Sequence, residues 1–194
     1  MEIKERQLDI IEAAGTILTR SGVGGLTIKN LAAEMEFSES ALYRHFTCKE
    51  EIIISMLQYL ASSMDERLRS AVDKNADPLT KFRQLFQSQF HFFNSNKHFV
   101  VAVFSDGLMD ATSRINETTI QLMDIKGKHL LPILQEGQKK GVFTKEIPVK
   151  DLLHIVIGSF RLQMFKWKSA NFEFDIEKRG TEIIKSLLKL ISNK

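Results

Sequence analysis

Thr27-Ile28-Lys29-Asn30-Leu31-Ala32-Ala33-Glu34-Met35-Glu36-Phe37-Ser38-Glu39-Ser40-Ala41-Leu42-Tyr43-Arg44-His45-Phe46-Thr47-Cys48-Lys49 holds two short helical patterns back to back, with only a few residues between them. The first opens at Thr27, whose hydroxyl caps exposed amides, and buries Leu31 and Ala32. The second opens at Ser38, another good N-cap, and buries Ala41, Leu42 and Phe46. Glu39, Ser40, Tyr43, Arg44 and His45 are left largely outward. A short helix that uses few residues for packing and presents a polar row suits the major groove of DNA.

This array resembles the helix-turn-helix of the TetR family of bacterial transcription regulators. The match rests on Thr27, Leu31-Ala32, the Phe37-Ser38 turn exit, Leu42-Tyr43-Arg44-His45-Phe46 and Lys49-Glu50. It is strong over residues 5–55 and weak beyond. The resemblance implies three N-terminal helices that bind DNA, followed by helices that form a ligand pocket and a dimer interface. It also implies that Tyr43 and Lys49 contact phosphates, and that Thr27 both caps its helix and touches phosphate. Lys29, Glu39, Ser40, Ala41 and Arg44 fall where the family reads bases, Ser38 opens that helix, and His45 lies at its edge. The family usually carries glycine where Glu36 stands, and often where Ser40 stands. If the turn needs positive φ at Glu36, the substitution costs about 1 kcal/mol.

Elementary chemistry agrees with these roles. A phenol and an ammonium beside the positive end of a helix make an anion site. Arg44 has the fork for guanine O6 and N7, Lys29 suits either guanine or phosphate, and Glu39 accepts from a cytosine amino group. Charge does not announce DNA binding: residues 1–50 hold six Lys/Arg against eight Asp/Glu, within a chain of net charge +3. Phosphate neutralisation normally biases such a segment the other way. The cations must therefore be well placed rather than numerous.

Outward from the motif, the 194 residues read as all-α, with about nine helices. Leu8, Ile11, Ala14 and Leu18 mark a first helix from Lys4 to Arg20, closed by Ser21-Gly22. A long fourth helix starts at Thr47 to Lys49, with Thr47 as N-cap and Glu50 completing a capping box, and runs to about Val72. Asp77-Pro78 opens a fifth, whose apolar face is Leu79, Phe82, Leu85, Phe86, Phe90 and Phe93. Further helices are expected over His98–Met109, Ser113–Lys140, Val149–Lys168 and Asp175–Ile191, with Pro132 kinking or splitting the second of these. The last carries Ile176, Ile183, Leu187, Leu190 and Ile191 on one side. Gly141-Val142-Phe143-Thr144 is the one stretch read as briefly extended. Domain boundaries follow: residues 1–48 for DNA, and 49–194 for ligand binding and dimerisation.

The second region is rich in soft and aromatic side chains. Most of these are core by default. An apolar pocket walled by Phe86, Phe90, Met123, Phe160 and Met164 is the alternative, with His91, Arg161 and Gln163 as polar contacts. The five histidines are scattered, no phosphate loop or nucleophile elbow occurs, and the single cysteine, Cys48, has no partner for zinc or a disulfide. Cys48 precedes Lys49 near a helix start, which favours thiolate, although a small helix-start residue is the plainer reading. No enzyme, metal or cofactor is expected. With no long apolar run and no leader, the reading is cytoplasmic and without a membrane partner. The sequence thus predicts a homodimeric repressor released from a palindromic double-stranded DNA operator by a small hydrophobic effector. A TetR-like module that contacts protein or nonspecific DNA without induction is the alternative.

Overall fold

The computed structural model describes residues 5–104 and 112–193. Its described elements are all helices: α1 (Glu5–Gly25), α2 (Ile28–Glu34), α3 (Glu39–Tyr43), α4 (Lys49–Ala71), α5 (Pro78–Ser95), α6 (Lys97–Phe104), α7 (Ser113–Lys139), α8 (Val149–Ser169) and α9 (Ile176–Ile191). Helix α1 continues past the predicted stop at Arg20. It bends at Gly22, whose φ of 64° only glycine adopts readily, and resumes to Gly25. Helix α7 runs unbroken through Pro132, where the sequence predicts a kink or a break. The predicted end of the sixth helix, beyond Phe104, lies outside the described residues.

Contacts divide the chain into two units. The first comprises residues 1–62 and 96–122, so α6 and the start of α7 belong with α1, α2 and α3. Within it, α1 packs on α2 and on α6, and α2 packs on α3. Ile10, Ile11, Ala14, Ile17 and Leu18 of α1 are buried with Leu31, Leu42 and Phe46. Gly15 admits the close approach of α6, since a Cβ there would lie 2.8 Å from Cγ of His98. Burial of that imidazole holds its pKa below the ordinary histidine value.

The second unit comprises residues 63–95 and 123–194. Here α9 packs on α5 and on α8. Its core is a chain of rings: Phe82 to Phe86 at 4.9 Å, Phe86 to Phe160 at 5.7 Å and Phe90 to Phe160 at 5.2 Å. Lys81 pairs with Glu136 at 2.8 Å, and Asp65 receives both Lys128 and His129, at 2.9 and 2.7 Å. The predicted extended stretch is present as an isolated antiparallel bridge between Phe143 and Ser192. It seats the chain end through Thr144 N–H to the Ile191 carbonyl, 2.7 Å.

Two local expectations are corrected. At the start of α4 the carboxylate that returns to the Thr47 amide is Glu51, at 2.8 Å, not Glu50. Glu50 instead accepts from the Thr112 hydroxyl at 2.8 Å and faces Arg114. On α9 the buried face is Ile176, Gly180, Ile184, Leu187, Leu188 and Ile191. Ile183 is half-buried and Leu190 is 77% exposed, so both lie off the core side.

Gly180 shows how tightly α9 sits on α5. A Cβ at this position would lie 2.5 Å from Cε2 of Phe90, a contact no real pair tolerates. Gly180→Ala is therefore expected to destabilise the fold by about 1–3 kcal/mol through overpacking, despite alanine's better helix propensity. Denaturant titration checks this; an unchanged or raised midpoint would contradict the packing.

Candidate nucleic-acid interface and effector core

The segment from α2 to α3 is built by capping. Thr27 has extended backbone, and its Oγ1 accepts from the Asn30 amide at 3.0 Å. Asn30 Nδ2 then donates to the Gly25 carbonyl at 2.8 Å, tying α2 to the end of α1, and Arg20 pairs with Glu34 at 2.8 Å across the same two helices. The Thr27 hydroxyl proton remains available to an acceptor such as phosphate. Glu36 has φ of 54°, so the turn does require the left-handed conformation that glycine supplies more cheaply.

Ser38 caps α3 by accepting from the Ala41 amide at 3.2 Å, and its hydroxyl lies 2.9 Å from that of Ser40. Helix α3 is only five residues long. Arg44 is its C-cap, so His45 and Phe46 follow it in a turn rather than extending it. Leu42 and Phe46 anchor this segment in the core. Lys29, Ser38, Glu39, Ser40, Tyr43 and Arg44 are exposed, with Tyr43 at 51%, while Ala41 and His45 are half-buried. Exposure of this row leaves cationic, phenolic and hydroxyl side chains on one short segment.

Lys49 is placed differently from a free surface cation. Its Nζ donates to the Val23 carbonyl at 2.8 Å, closing the end of α1, and partial burial lowers its pKa from the ordinary lysine value. The ammonium keeps two further N–H donors for an anion. Cys48 is exposed.

The predicted pocket residues lie in the second unit. Phe86, Phe90, Phe160 and Met164 are buried in its core, whereas Met123 is exposed, with Sδ 3.9 Å from Nη1 of Arg161, so it does not line that core as predicted. A cavity of about 80 Å³ touches Phe86 and Phe90 from the α9 side, lined also by Arg83, Thr181 and Ile184. His91 is exposed and pairs with Glu177 at 3.3 Å, whereas Gln163 is buried with an Nε2 that has no partner. Three polar side chains in this core escape the sequence reading. Gln89 is 0% exposed, with neither amide atom hydrogen-bonded. Arg67 places its guanidinium 3.5 Å over the Phe92 ring, and burial pulls its pKa down to about 10. Lys126 sits 3.6 Å over the Phe160 ring, its pKa lowered to about 7, first by burial and then by the charges of Arg161 and Arg67.

A capped, anchored helix-turn-helix joined to an aromatic-cored helical unit defines a DNA-binding transcriptional regulator. Residues 10–56 match the family of bacterial regulatory proteins designated tetR, and residues 58–190 match the YsiA-like protein C-terminal region, so the chain belongs to the TetR family. Over 163 residues it is 28% identical to the nucleoid occlusion factor SlmA of Shewanella pealeana, covering 82% of each chain. Its fold matches a putative fatty acid metabolism regulator of Clostridium perfringens at a TM-score of 0.76 and 26% identity, covering 95% of this chain and 99% of that one. It also matches FadR of Bacillus subtilis in complex with stearoyl-CoA, at 0.82 and 17% identity over 95% and 98% of the two chains. Among the described residues no helix is long and apolar enough to cross a membrane.

Lys126 makes stability depend on pH. Between its folded value of about 7 and its ordinary 10.5, the unfolded chain holds a proton that the folded chain has released. Stability therefore rises with pH across that window, and below it the full penalty of a buried charge applies. Thermal melts between about pH 7 and about pH 9 are expected to show this rise, and Lys126→Met should flatten it. A wild-type slope that survives in Lys126→Met would assign the effect elsewhere.

Proposed function

We propose that this chain is a homodimeric repressor that holds a near-palindromic operator through residues 1–48, joined by Lys49 at the start of the next helix. A small hydrophobic effector entering residues 49–194 releases it. The observation that carries this reading is the exposed row on and beside α3, held out by the Ser38 cap and the Leu42 anchor. Arg44 and Lys29 reach base edges, with Glu39, Ser40 and Ala41 beside them. Tyr43, Thr27 and Lys49 contact phosphates, with His45 at the margin. The outward carboxylates, Glu36 and Glu39 among them, repel DNA in any register where cations and phosphates do not align, so net charge is exchanged for register.

The effector core is walled by Phe86, Phe90, Phe160 and Met164. The stearoyl-CoA held by the Bacillus subtilis protein supports an acyl chain as the occupant. An effector that binds the DNA-incompetent arrangement more tightly moves the population toward it, with a coupling of about 1–3 kcal/mol. Nothing in this scheme requires catalysis or a cofactor. The alternative, a module that holds DNA without induction, is favoured by the likeness to a nucleoid occlusion factor. Operator binding that no acyl ligand alters would decide for that alternative.

Binding sites selected from random duplexes test the DNA roles. Arg44→Ala is expected to lose preference at one base position per half-site, by about 1–3 kcal/mol, while Tyr43→Phe weakens all duplexes alike. Uniform weakening by Arg44→Ala would reduce that side chain to a phosphate contact.

Dimerisation rests on α8 and α9. Helix α8 leaves Ile155 and Leu162 exposed two turns apart, the latter by 54%, with Phe165 beside them, and α9 leaves Leu190 exposed. An apolar stripe of this kind on a two-fold interface meets its own copy. Leu162→Glu would set like charges against each other there and is expected to give a folded monomer in sedimentation. A dimer of wild-type strength would move the interface to another face.

A further inference from the structure

The core of the second unit contains positive charge that an apolar effector does not use. Lys126 occupies an inward register of α7, four residues from both Leu122 and Leu130, and is only 9% exposed. Its Nζ lies 3.6 Å from the centre of the Phe160 ring. Arg67 comes from α4 and stacks on Phe92 at 3.5 Å, and its buried Nε and Nη2 have no hydrogen-bond partner. Arg161 on α8 brings a third cation into the same field, and both guanidiniums repel the ammonium. Among the described residues no carboxylate contributes to the surroundings of Lys126. Gln89 adds a buried amide with unused donors and an unused acceptor, one residue from Phe90, whose ring packs against Phe160.

Protein interiors keep a buried cation when something pairs it. A buried lysine close to a part-buried arginine, with no acid opposing either among the described residues, costs stability, and their ring contacts return only part of that cost. A regulatory core tolerates such an arrangement when the missing charge arrives with the ligand. Aromatic walls then receive the apolar body of that ligand, and the cations receive its acidic end.

We propose that Lys126 and Arg67, supported by the charge of Arg161, form a buried anion-recognition site for a carboxylate or phosphate carried on the acyl effector. This rests on the effector reading above and adds the ligand's charge to it. The same site makes binding proton-linked. An anion beside Lys126 favours its protonated form, so at alkaline pH the complex takes up a proton that the free protein lacks. The groups facing Lys126 are Arg67 from α4, Arg161 from α8 and the Phe160 ring, and neither guanidinium loses its proton in that range.

Three probes of equal chain length test the proposal by calorimetric titration of the purified full chain: dodecanoate, dodecanoyl-CoA and dodecanol. At least one anionic probe is expected to bind about 10- to 100-fold tighter than the alcohol. That advantage should shrink as pH rises from about 7 to about 9, and should collapse in Lys126→Met and narrow in Arg67→Gln. Lys126→Met should also melt higher than wild type, because it removes an uncompensated buried charge, which keeps the binding result interpretable. A preference for dodecanoate alone identifies the free acid as the source of the anion, and a preference for the thioester alone identifies the phosphates of the coenzyme. Dodecanol binding as tightly as both anions overturns the anion site while leaving the apolar-effector reading intact. The anion site also falls if the anionic advantage persists in Lys126→Met, at whatever temperature that variant melts. Failure of all three probes to bind overturns both.

Discussion

The ring of Phe160 is the contact on which the second unit depends. One face of α8 uses it to meet Phe86, Phe90 and Phe93 of α5, at centroid separations of 5.2 to 6.3 Å. The same ring lies under the ammonium of Lys126 from α7. Three helices are therefore registered against one side chain, and dense aromatic packing transmits any displacement of it. The tight seat of Gly180 against Phe90 extends the arrangement to α9. A ligand that separates Phe160 from its neighbours must move helices rather than fill a loose space.

The first unit solves a different problem. Helix α3 is five residues long and could not persist in water by itself, since nucleation alone exceeds what so few hydrogen bonds return. It persists because Ser38 satisfies an orphan amide, Leu42 is fully buried and the Glu36 turn accepts an unfavourable φ. These devices are local, although the Ser38 hydroxyl also meets that of Ser40 in the outward row. Proposed recognition and anchoring overlap at Thr27, Ser38 and Lys49, which hold the segment by hydrogen bonds, whereas the exposed side chains of Glu39 and Arg44 carry none of these anchors.

Much of this was legible in the sequence. The family resemblance raised positive φ at Glu36 as a condition of the turn, while caps at Thr27 and Ser38 and the outward row on α3 follow from residue chemistry and spacing. So does the aromatic face of α5, because a 3.6-residue period leaves little choice about Phe82, Phe86, Phe90 and Phe93. What escaped was polar. Gln89 lies on that same face, and Lys126 follows Leu122 and precedes Leu130 at four-residue spacing, so the register already placed both inward. Reading the stripe by its apolar members alone hid them. The anchoring of Lys49, itself singled out in the sequence, escaped for another reason: its bond to Val23 links residues 26 positions apart, and no local pattern reports such a contact. The capping box went to Glu51 rather than Glu50 because Thr112 and Arg114, distant in sequence, claim Glu50.

The polar residues that the periodicity hides bear on how a regulator of this kind responds. A core optimised only for stability would place methionine or leucine at position 126, as the flanking turns do. Retaining an ammonium there weakens the free protein, and a ligand that pairs the charge recovers that stability in addition to its own apolar burial. The differential interaction on which a conformational switch depends is thereby enlarged without enlarging the ligand, since an equal gain from apolar contact would require several more buried methylenes. An uncharged hydrophobe of the same size gains only the apolar part. In the proposed scheme, discrimination against neutral hydrophobes follows from the buried cation itself, and its cost to the free protein is the physical source of that selectivity.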